Sequence, residues 1–531
     1  MTEVTSLHPS SLSRGTLLAG CLAVCLAQMA IAMPAVLNGL FQTDLHPIGS
    51  QLTWISDAIL LPVTVLELTF GVLGDLFGRK RLLVGGTTLI AVGEIVSASA
   101  GGVHGLWLGQ AITGLGAAAV FPTSLAMIAA GTHTVRERAR GISVWAAALS
   151  TGGFVAPVVA GITSGNGSWR TAFVVAVVLA ALSTLVSLAL AKNSSAPEGR
   201  SLDWGGQVTI LIGLFALLYA VIQGQSDGWG APSVIVAFVV AAVFLVLFVV
   251  AEARARAPML RLDLFRSRPF TVASIIAVVG MFSFLGTAYA ISIRLGPIQH
   301  QTPLRAAAAF VMINGLALVM TPLTSRLLER VNPRWLLGGG LLLIAAGDFI
   351  AAGLDVRDTA LTSLVLPLVL LGLGFALTVS SITATAVNTV PNHYAGMASA
   401  STSLLRDLGF TLGPAIIGAI ALSSAASTFT TNLATSALAP QVRAAATAVA
   451  QEGGPLAINS VPPASPPGQA ASIAVDALGN GYSIGFLVCG IAALLCSLLA
   501  VTALRGGRGN TQVTEDSLAE DTALTPQHVQ L

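Results

Sequence analysis

The sequence predicts an all-α integral membrane protein with fourteen transmembrane helices, arranged as two six-helix repeats (spans 1–6 and 9–14) with two helices inserted between them. Three observations predict it. The 531 residues are 54% hydrophobic and only 9% charged, against roughly 25% charged in soluble domains. Apolar runs near the ~20 residues needed to cross a bilayer recur along the whole chain. Two pairs of distant segments also repeat one another at nearly one offset.

The runs lie near 15–40, 52–74, 82–100, 105–130, 140–164, 170–191, 204–223, 232–252, 270–293, 304–328, 335–354, 361–388, 395–424 and 477–504. The first is too long for a signal-peptide core and no small-residue cleavage site follows it. Nineteen of the 25 Lys and Arg residues fall in loops on the N-terminal side of this arrangement, five on the opposite side, and Arg406 inside a span. The positive-inside rule then places both termini in the cytoplasm, in a multi-pass protein of the plasma membrane. Residues 425–476, rich in Ser, Thr, Ala and Pro, are expected to form a long non-helical extracellular loop. The polar tail 505–531 is expected to be a disordered cytoplasmic segment.

The repeat sets the domains. "GVLGDLFGRKRLL" (71–83) is echoed by "SRLLERVNPRWLL" (325–337), with Asp75 matched by Glu329 at an offset of 254. Gly152, Pro157 and Gly161 recur as Gly409, Pro414 and Gly418 at an offset of 257. This divides the chain into an N-terminal bundle (1–200), the inserted spans 7 and 8 (201–265), a C-terminal bundle (266–504) and the tail. Folds of this kind place the substrate site at the repeat interface near the bilayer midplane.

Several function classes are excluded. A net charge of +2 gives no basic face for nucleic acid. The four cysteines sit inside spans without His or acid at ligand spacing, so they read as small apolar core residues and no metal site is expected. No nucleophile–base arrangement or phosphate-binding loop occurs, so neither an enzyme nor an ATP-driven pump is expected, and no cofactor is implied.

Four stretches carry a resemblance to a known family. "GVLGDLFGRK" (71–80) resembles the loop signature between spans 2 and 3 of the major facilitator superfamily. "GGFVAPVVAG" (152–161) resembles the span-5 antiporter signature. "WISDA" (54–58) and "LDWGG" (202–206) are similar to the starts of spans 2 and 7 in its fourteen-span drug/proton antiporters. The resemblance implies the major facilitator fold, alternating access, and proton-coupled export of amphipathic drugs of the multidrug-efflux, antibiotic-resistance type. The chain departs from the family pattern at Leu76, Ala156 and Ala160. Cys25 stands where relatives commonly carry an Asp, and Gln110 where they carry an Arg.

With those two charges absent, proton coupling is expected from the other ionisable residues inside spans: Asp57, Glu67, Glu94, Asp348, Arg406 and Asp407. Even on the lenient scale a charge at the bilayer centre costs ~2.5–3.5 kcal/mol, which marks such residues as functional candidates. Glu67 has no evident partner in sequence. Asp57 and Asp348 fall near the outer ends of their spans. Adjacent helix positions do not face each other, so Arg406 and Asp407 are expected to find separate partners.

Gly71, Asp75, Gly78, Arg79, Lys80, Arg81, Glu329 and Arg334 read as a cytoplasmic gate, with Asp75 pairing across it toward span 11. Gly152, Pro157, Gly161, Gly409, Pro414 and Gly418 read as pivots. Trp54, Phe121 and Trp145 are candidate cavity aromatics. The expected partners are the lipid bilayer, protons and a small amphipathic, cationic substrate, with the chain working as a monomer. The competing readings are an exporter of one endogenous metabolite or lipid, and a non-transporting membrane scaffold.

Overall fold

The computed structural model describes residues 13–132, 134–165, 167–197, 202–255, 258, 260–388 and 395–504. The tail beyond 504 and the side chain of Glu329 lie outside the described residues. Fourteen helices among the described residues are long and apolar enough to cross a membrane.

Helix α1 (Arg14–Ala32) is span 1, and α2 (Pro34–Leu45) continues it beyond the span. Pro34 has no N–H to donate, yet Met33 between them stays helical and its N–H reaches Met29 O. The pair therefore runs on as one rod, longer than the sequence pattern implies, and stops at His46 in the left-handed conformation (φ 47°). Spans 2–6 follow as α3 (Gln51–Phe77), α4 (Arg79–Ala98), α5 (Val103–Ala130), α6 (Val135–Thr163) and α7 (Arg170–Leu190). The inserted pair is α8 (Trp204–Asp227) and α9 (Pro232–Arg254). Span 9 is α10 (Arg268–Ile293) extended by a wide turn over Arg294–Ile298. Spans 10–14 are α11 (Pro303–Arg330), α12 (Pro333–Ala352), α13 (Leu361–Asn388), α14 (Ala395–Thr435) and α16 (Ala471–Ala503), with α15 (Pro440–Ser460) before the last.

The stretch 425–476 corrects one expectation. It is mostly helical: α14 runs on to Thr435, α15 fills Pro440–Ser460, and a short tight turn at Pro467–Ala470 leads into α16. Its prolines misled because Pro440 and Pro467 start helical turns, where a missing N–H costs nothing. An apolar cluster joins Phe429, Leu433, Ala446, Ile458, Ala474 and Ala477, so the segment has a core of its own.

The internal repeat is carried in backbone contacts. Where α4 crosses α5, a Cβ on Gly116 would meet Gly86 O and Ile90 N. Where α12 crosses α13, a Cβ on Gly374 would meet Gly340 O and Ile344 N. Gly86/Gly340 and Ile90/Ile344 are each 254 residues apart. Gly152 of α6 lies so close to α1 that a Cβ would collide with Cys25 O, and Gly409 of α14 stands in the same way against Val278 O of α10. The same crossings built twice yield two bundles of one design.

The bundles meet along two seams. On one, Gly418 of α14 packs against Thr53 of α3; on the other, Gly161 of α6 packs against Ala307 of α11. The face where α1 begins, with Arg14, Arg79, Lys80 and Arg81, is called here the basic end. At the far end the bundles are shut. A Cβ on Gly39 of α2 would stand 2.8 Å from Gly296 Cα, Asn38 Nδ2 donates to Ser292 Oγ (2.8 Å), and Gln42 Nε2 donates to Ser460 Oγ (2.8 Å). Toward the basic end every residue of α3 from Leu66 through Leu73 is half-buried. Eight successive helical residues cover all faces, so a void between the bundles reaches α3 from that end.

Candidate functional site

The seam of α3 with α14 holds a polar cluster between the two bundles. Thr64 of α3 donates to the backbone oxygen of Asp407 (3.0 Å) and shares a 2.6 Å hydrogen bond with Thr411 of α14. One turn further along α3, the Glu67 carboxyl lies within hydrogen-bonding reach of the Asp407 carboxyl and close to Arg406. Arg406 Nε donates to Asp407 Oδ1 at 3.0 Å.

Two expectations are corrected here. Glu67 is not solitary: the Asp407 carboxyl of the other bundle lies beside it. Arg406 and Asp407 are not separately partnered: the guanidinium sits at the end of a long flexible arm and folds back onto its neighbour, which a shorter cation could not do. Asp407 is buried, while Arg406 and Glu67 are half-buried and border the void. Two carboxyls and one guanidinium grouped in this way form a set that a single proton brings to neutrality.

Asp57, nearly three turns from Glu67 toward the far end of α3, is fully buried and not at a helix end facing water. Neither of its oxygens has a hydrogen-bond partner among the described residues. Nearby, Thr53 Oγ1 and the Tyr289 hydroxyl of α10 are 2.7 Å apart, and Tyr482 of α16 adjoins Tyr289. Sequence reasoning missed both tyrosines. The chain has only four, so a tyrosine inside an apolar span was a usable signal.

Glu94 and Asp348 lie elsewhere. Both are fully buried, and they are themselves 254 residues apart. Glu94 sits inside the first bundle beside Thr113 of α5, where Gln110 Nε2 donates to Ser97 Oγ (3.1 Å). Asp348 sits inside the second, accepting from Thr287 (2.6 Å) and Ser283 (3.3 Å) of α10. Neither belongs to the cluster between the bundles.

At the basic end, Asp75 Oδ1 accepts from both Nε (2.9 Å) and Nη2 (2.7 Å) of Arg79. The stretch after α7 covers this pair, with Arg79 N donating to Ser194 O and Ala196 N to Asp75 O, while Lys80 Nζ donates to Leu188 O in the last turn of α7. Gly78 makes the break between α3 and α4 at φ 103°, a conformation other residues rarely adopt. Gly71 packs against Pro122, Arg81 is exposed, and the Arg334 guanidinium lies 5.0 Å from the Trp335 ring centre.

Pro157 and Pro414 lie inside the continuous helices α6 and α14, near Gly152/Gly161 and Gly409/Gly418. Of the aromatics, Trp54 turns away from the void toward Trp107 and Phe215, each 6.1 Å between ring centres. Phe121 packs on the main core, and Trp145 Nε1 donates to Ser124 Oγ (2.9 Å). Phe284 stacks on Phe375 (3.9 Å between ring centres), with Phe410 beside it. No group of His, Cys, Asp and Glu among the described residues could hold a metal ion.

Two six-helix bundles of one design, meeting along two seams around a polar site, define a secondary transporter fold. The Major Facilitator Superfamily profile matches residues 18–414, and the chain belongs to that superfamily. It is a multi-pass membrane transporter and not an enzyme. It is 31% identical over 369 residues to the multidrug resistance protein Stp of Mycobacterium tuberculosis (strain CDC 1551 / Oshkosh), covering 70% of this chain and 68% of that one. It is 27% identical over 505 residues to the tetracenomycin C resistance and export protein of Streptomyces glaucescens, covering 93% of each. Among solved structures it resembles a bacterial homologue of the human lysosomal transporter Spinster (TM-score 0.61, 16% identity, 92% of this chain and 97% of that one). It also resembles a POT family transporter (TM-score 0.62, 12% identity, 92% and 95%).

Proposed function

We propose that this protein is a proton-coupled exporter of amphipathic, cationic drugs or biocides, working as a monomer by alternating access in the plasma membrane with both termini in the cytoplasm. The observation that carries this reading is the approach of Glu67 across the seam to Asp407, which Arg406 Nε holds at 3.0 Å. Relatives named for multidrug resistance and for tetracenomycin C resistance and export support drug export. Nineteen basic residues on the N-terminal side against five on the other support the orientation.

Two carboxyls in reach of each other titrate as a pair, and a poorly hydrated site favours the neutral, protonated form. In the state open to the basic end, a proton held between Glu67 and Asp407 leaves one negative charge balanced by Arg406. A cationic substrate entering the void favours loss of that proton and replaces its charge. The cluster joins the bundles, so its charge is linked to how they sit on each other. Separating α3 from α14 breaks the Thr64–Thr411 bond and parts Glu67 from Asp407, exposing the pair to reprotonation from the other side. Gly161 and Gly418 let α6 and α14 lie close enough to the facing helices to serve as the rocking contacts. Asp57, behind the Thr53–Tyr289 pair, is a second proton-holding group on the same helix. The Asp75–Arg79 pair with its covering strand is the gate at the basic end.

The gradient available suffices: about 1.4 kcal/mol per pH unit and roughly 2.3 kcal/mol per charge moved across 100 mV. The test is dye export from pH-clamped proteoliposomes. A pH gradient should drive a lipophilic cation uphill, with protons moving the other way. Dye flux that ignores the gradient rules out antiport; no flux of any drug cation returns the field to an exporter of one endogenous compound.

A further inference from the structure

The void between the bundles ends at a level where the two halves of the chain differ. On α6 no residue from Ile142 through Thr151 is buried, and on α11 none from Asn314 through Leu323, whereas Gly152, Gly153 and Ile313 are buried. Ten successive residues of a helix sample every face, so the void runs along both helices from the basic end and stops here. On α1, the accessible residues between Leu18 and Ala30 are Leu18, Cys21, Leu22, Cys25 and Gln28. They form one stripe on a helix packed elsewhere against α5, α6 and α7. Gln28 is where that stripe reaches the closed end.

Two carboxamides flank Gly153 at that point. A Cβ on Gly153 would stand 3.2 Å from Asn314 Oδ1 and 3.8 Å from Gln28 Cγ, so one side chain comes from each bundle. Asn314 Nδ2 donates to Phe310 O (3.0 Å), which leaves Oδ1 without a partner among the described residues. The Gln28 carboxamide has no hydrogen-bond partner among them either. In the other half the same positions are apolar. Met281 Cβ lies 3.1 Å from a Cβ on Gly409, as Gln28 Cβ lies 3.0 Å from one on Gly152, and the Ile59 backbone stands against Gly114 as that of Ile313 does against Gly372. Gln28, Gly153 and Asn314 therefore correspond to Met281, Phe410 and Leu60. The second half packs this crossing with a thioether and a ring, so the fold itself does not require the amides.

We infer that Gln28 and Asn314 are a hydrogen-bonding subsite at the closed end of the void, and that the exporter's substrates carry, besides a cationic centre, a neutral amide or hydroxyl group that binds there. The inference rests on the exporter reading above. Asn314 Oδ1 accepts, and Gln28 both donates and accepts, so the pair matches a group that itself does both. Water meets these atoms when no such group is present, and a substrate group that replaces it loses little. An apolar tail leaves both carboxamides unpaired, which is what makes a hydrogen-bonding site selective. With one carboxamide on each bundle, a substrate bonded to both also spans the α6–α11 seam.

The test compares two triphenylphosphonium cations of equal tail length, one ending in a methyl group and one in a primary amide, in pH-clamped proteoliposomes. Gln28→Met and Asn314→Leu install the residues of the other half, and Gly153→Ala sets a Cβ 3.2 Å from Asn314 Oδ1. Each variant is expected to raise KM for the amide-tipped cation about fivefold relative to the methyl-tipped one, the loss of one hydrogen bond. The value of kcat and the protons moved per cation should stay as in wild type. The ratio of the two KM values is taken within each variant, so a partly folded preparation does not alter it. A ratio unchanged from wild type in all three variants, or one shifted against the methyl-tipped cation, overturns the inference. Equilibrium binding of the amide-tipped cation needs no gradient and should weaken by the same factor. Failure of the exporter reading would appear separately, as wild-type protein whose binding of that cation depends on Gln28 yet which moves neither cation against a pH gradient.

Discussion

The Glu67 carboxyl of α3 reaches the Asp407 carboxyl of α14 across the seam between the two bundles, and Arg406 Nε holds Asp407 at 3.0 Å. Three ionisable groups from two bundles thus share one low-dielectric position, and the variants at that position have different expected outcomes. Glu67→Gln keeps a hydrogen bond to Asp407 but cannot exchange a proton. It should abolish most pH-driven efflux while moving the melting temperature little. Asp407→Asn removes the counter-charge of Arg406, and a charged-group hydrogen bond lost at a half-buried site costs about 1–3 kcal/mol. This variant should lose coupling and also melt earlier. Dye efflux and thermal unfolding in the same detergent check both, and full-rate gradient-driven transport by Glu67→Gln would reject the assignment.

The backbone crossings of the repeat make a stability prediction. A Cβ on Gly374 would press on Gly340 O and Ile344 N, as one on Gly116 would on Gly86 O and Ile90 N. Gly116→Val and Gly374→Val should each destabilise by about 1–3 kcal/mol from overpacking. Gly339→Val, where nothing stands within 4 Å of the added atom, should cost far less. Thermal unfolding of the three variants reads this directly.

What was legible in the sequence follows from what each signal depends on. Span number and order come from runs of apolar residues, a local property, and so could be read. The repeat was visible at Asp75/Glu329 and Gly152/Gly409 because close crossings demand glycine wherever they recur. The acids were found because charges are rare in spans, but their partners were not, since contact across a seam depends on how the bundles dock. Glu67 appeared solitary for that reason. Arg406 and Asp407 appeared divergent because helical spacing describes Cβ directions and says nothing of where a long side chain ends. The helix α15 was hidden by a composition that ordinarily marks loops, its prolines standing at helix starts.

A pH effect on stability is expected at the far end of the first bundle. Asp44, in the last turn of α2 and beyond the α1 span, accepts from Arg170 Nη1 (2.6 Å) and Trp169 Nε1 (2.8 Å). The hydrogen bond from Arg170, then that from Trp169, hold its carboxyl below the usual carboxylate range. A depressed folded-state value means that the contribution is present above the unfolded value of about 3.9 and fades as pH falls through the lower folded one. Side-chain exposures of 39% and 46% leave the ion pair screened and its contribution under about 1 kcal/mol. The melting difference between wild type and Asp44→Asn should therefore be small and flat from about pH 7 to 5, and shrink below about pH 4. A difference that grew on acidification would contradict the pairing.

The far-end seal makes the last prediction, on conformation. Gly39 and Gly296 lie so close that neither has room for a side chain, and Asn38 and Ser292 hydrogen-bond beside them at 2.8 Å. A branched residue at Gly296 cannot close against α2, while the cluster at Glu67 keeps all its atoms. Gly296→Leu should therefore shift the population toward the state open at the far end. A cysteine placed at Ser292 should then react faster with a membrane-impermeant thiol reagent added from that side, provided Cys21, Cys25, Cys489 and Cys496 are first replaced. Efflux should fall because the cycle stalls in one state, and substrate binding measured from the far side should persist. Unchanged reactivity at position 292 would mean that the bundles part somewhere other than between α2 and the turn after α10.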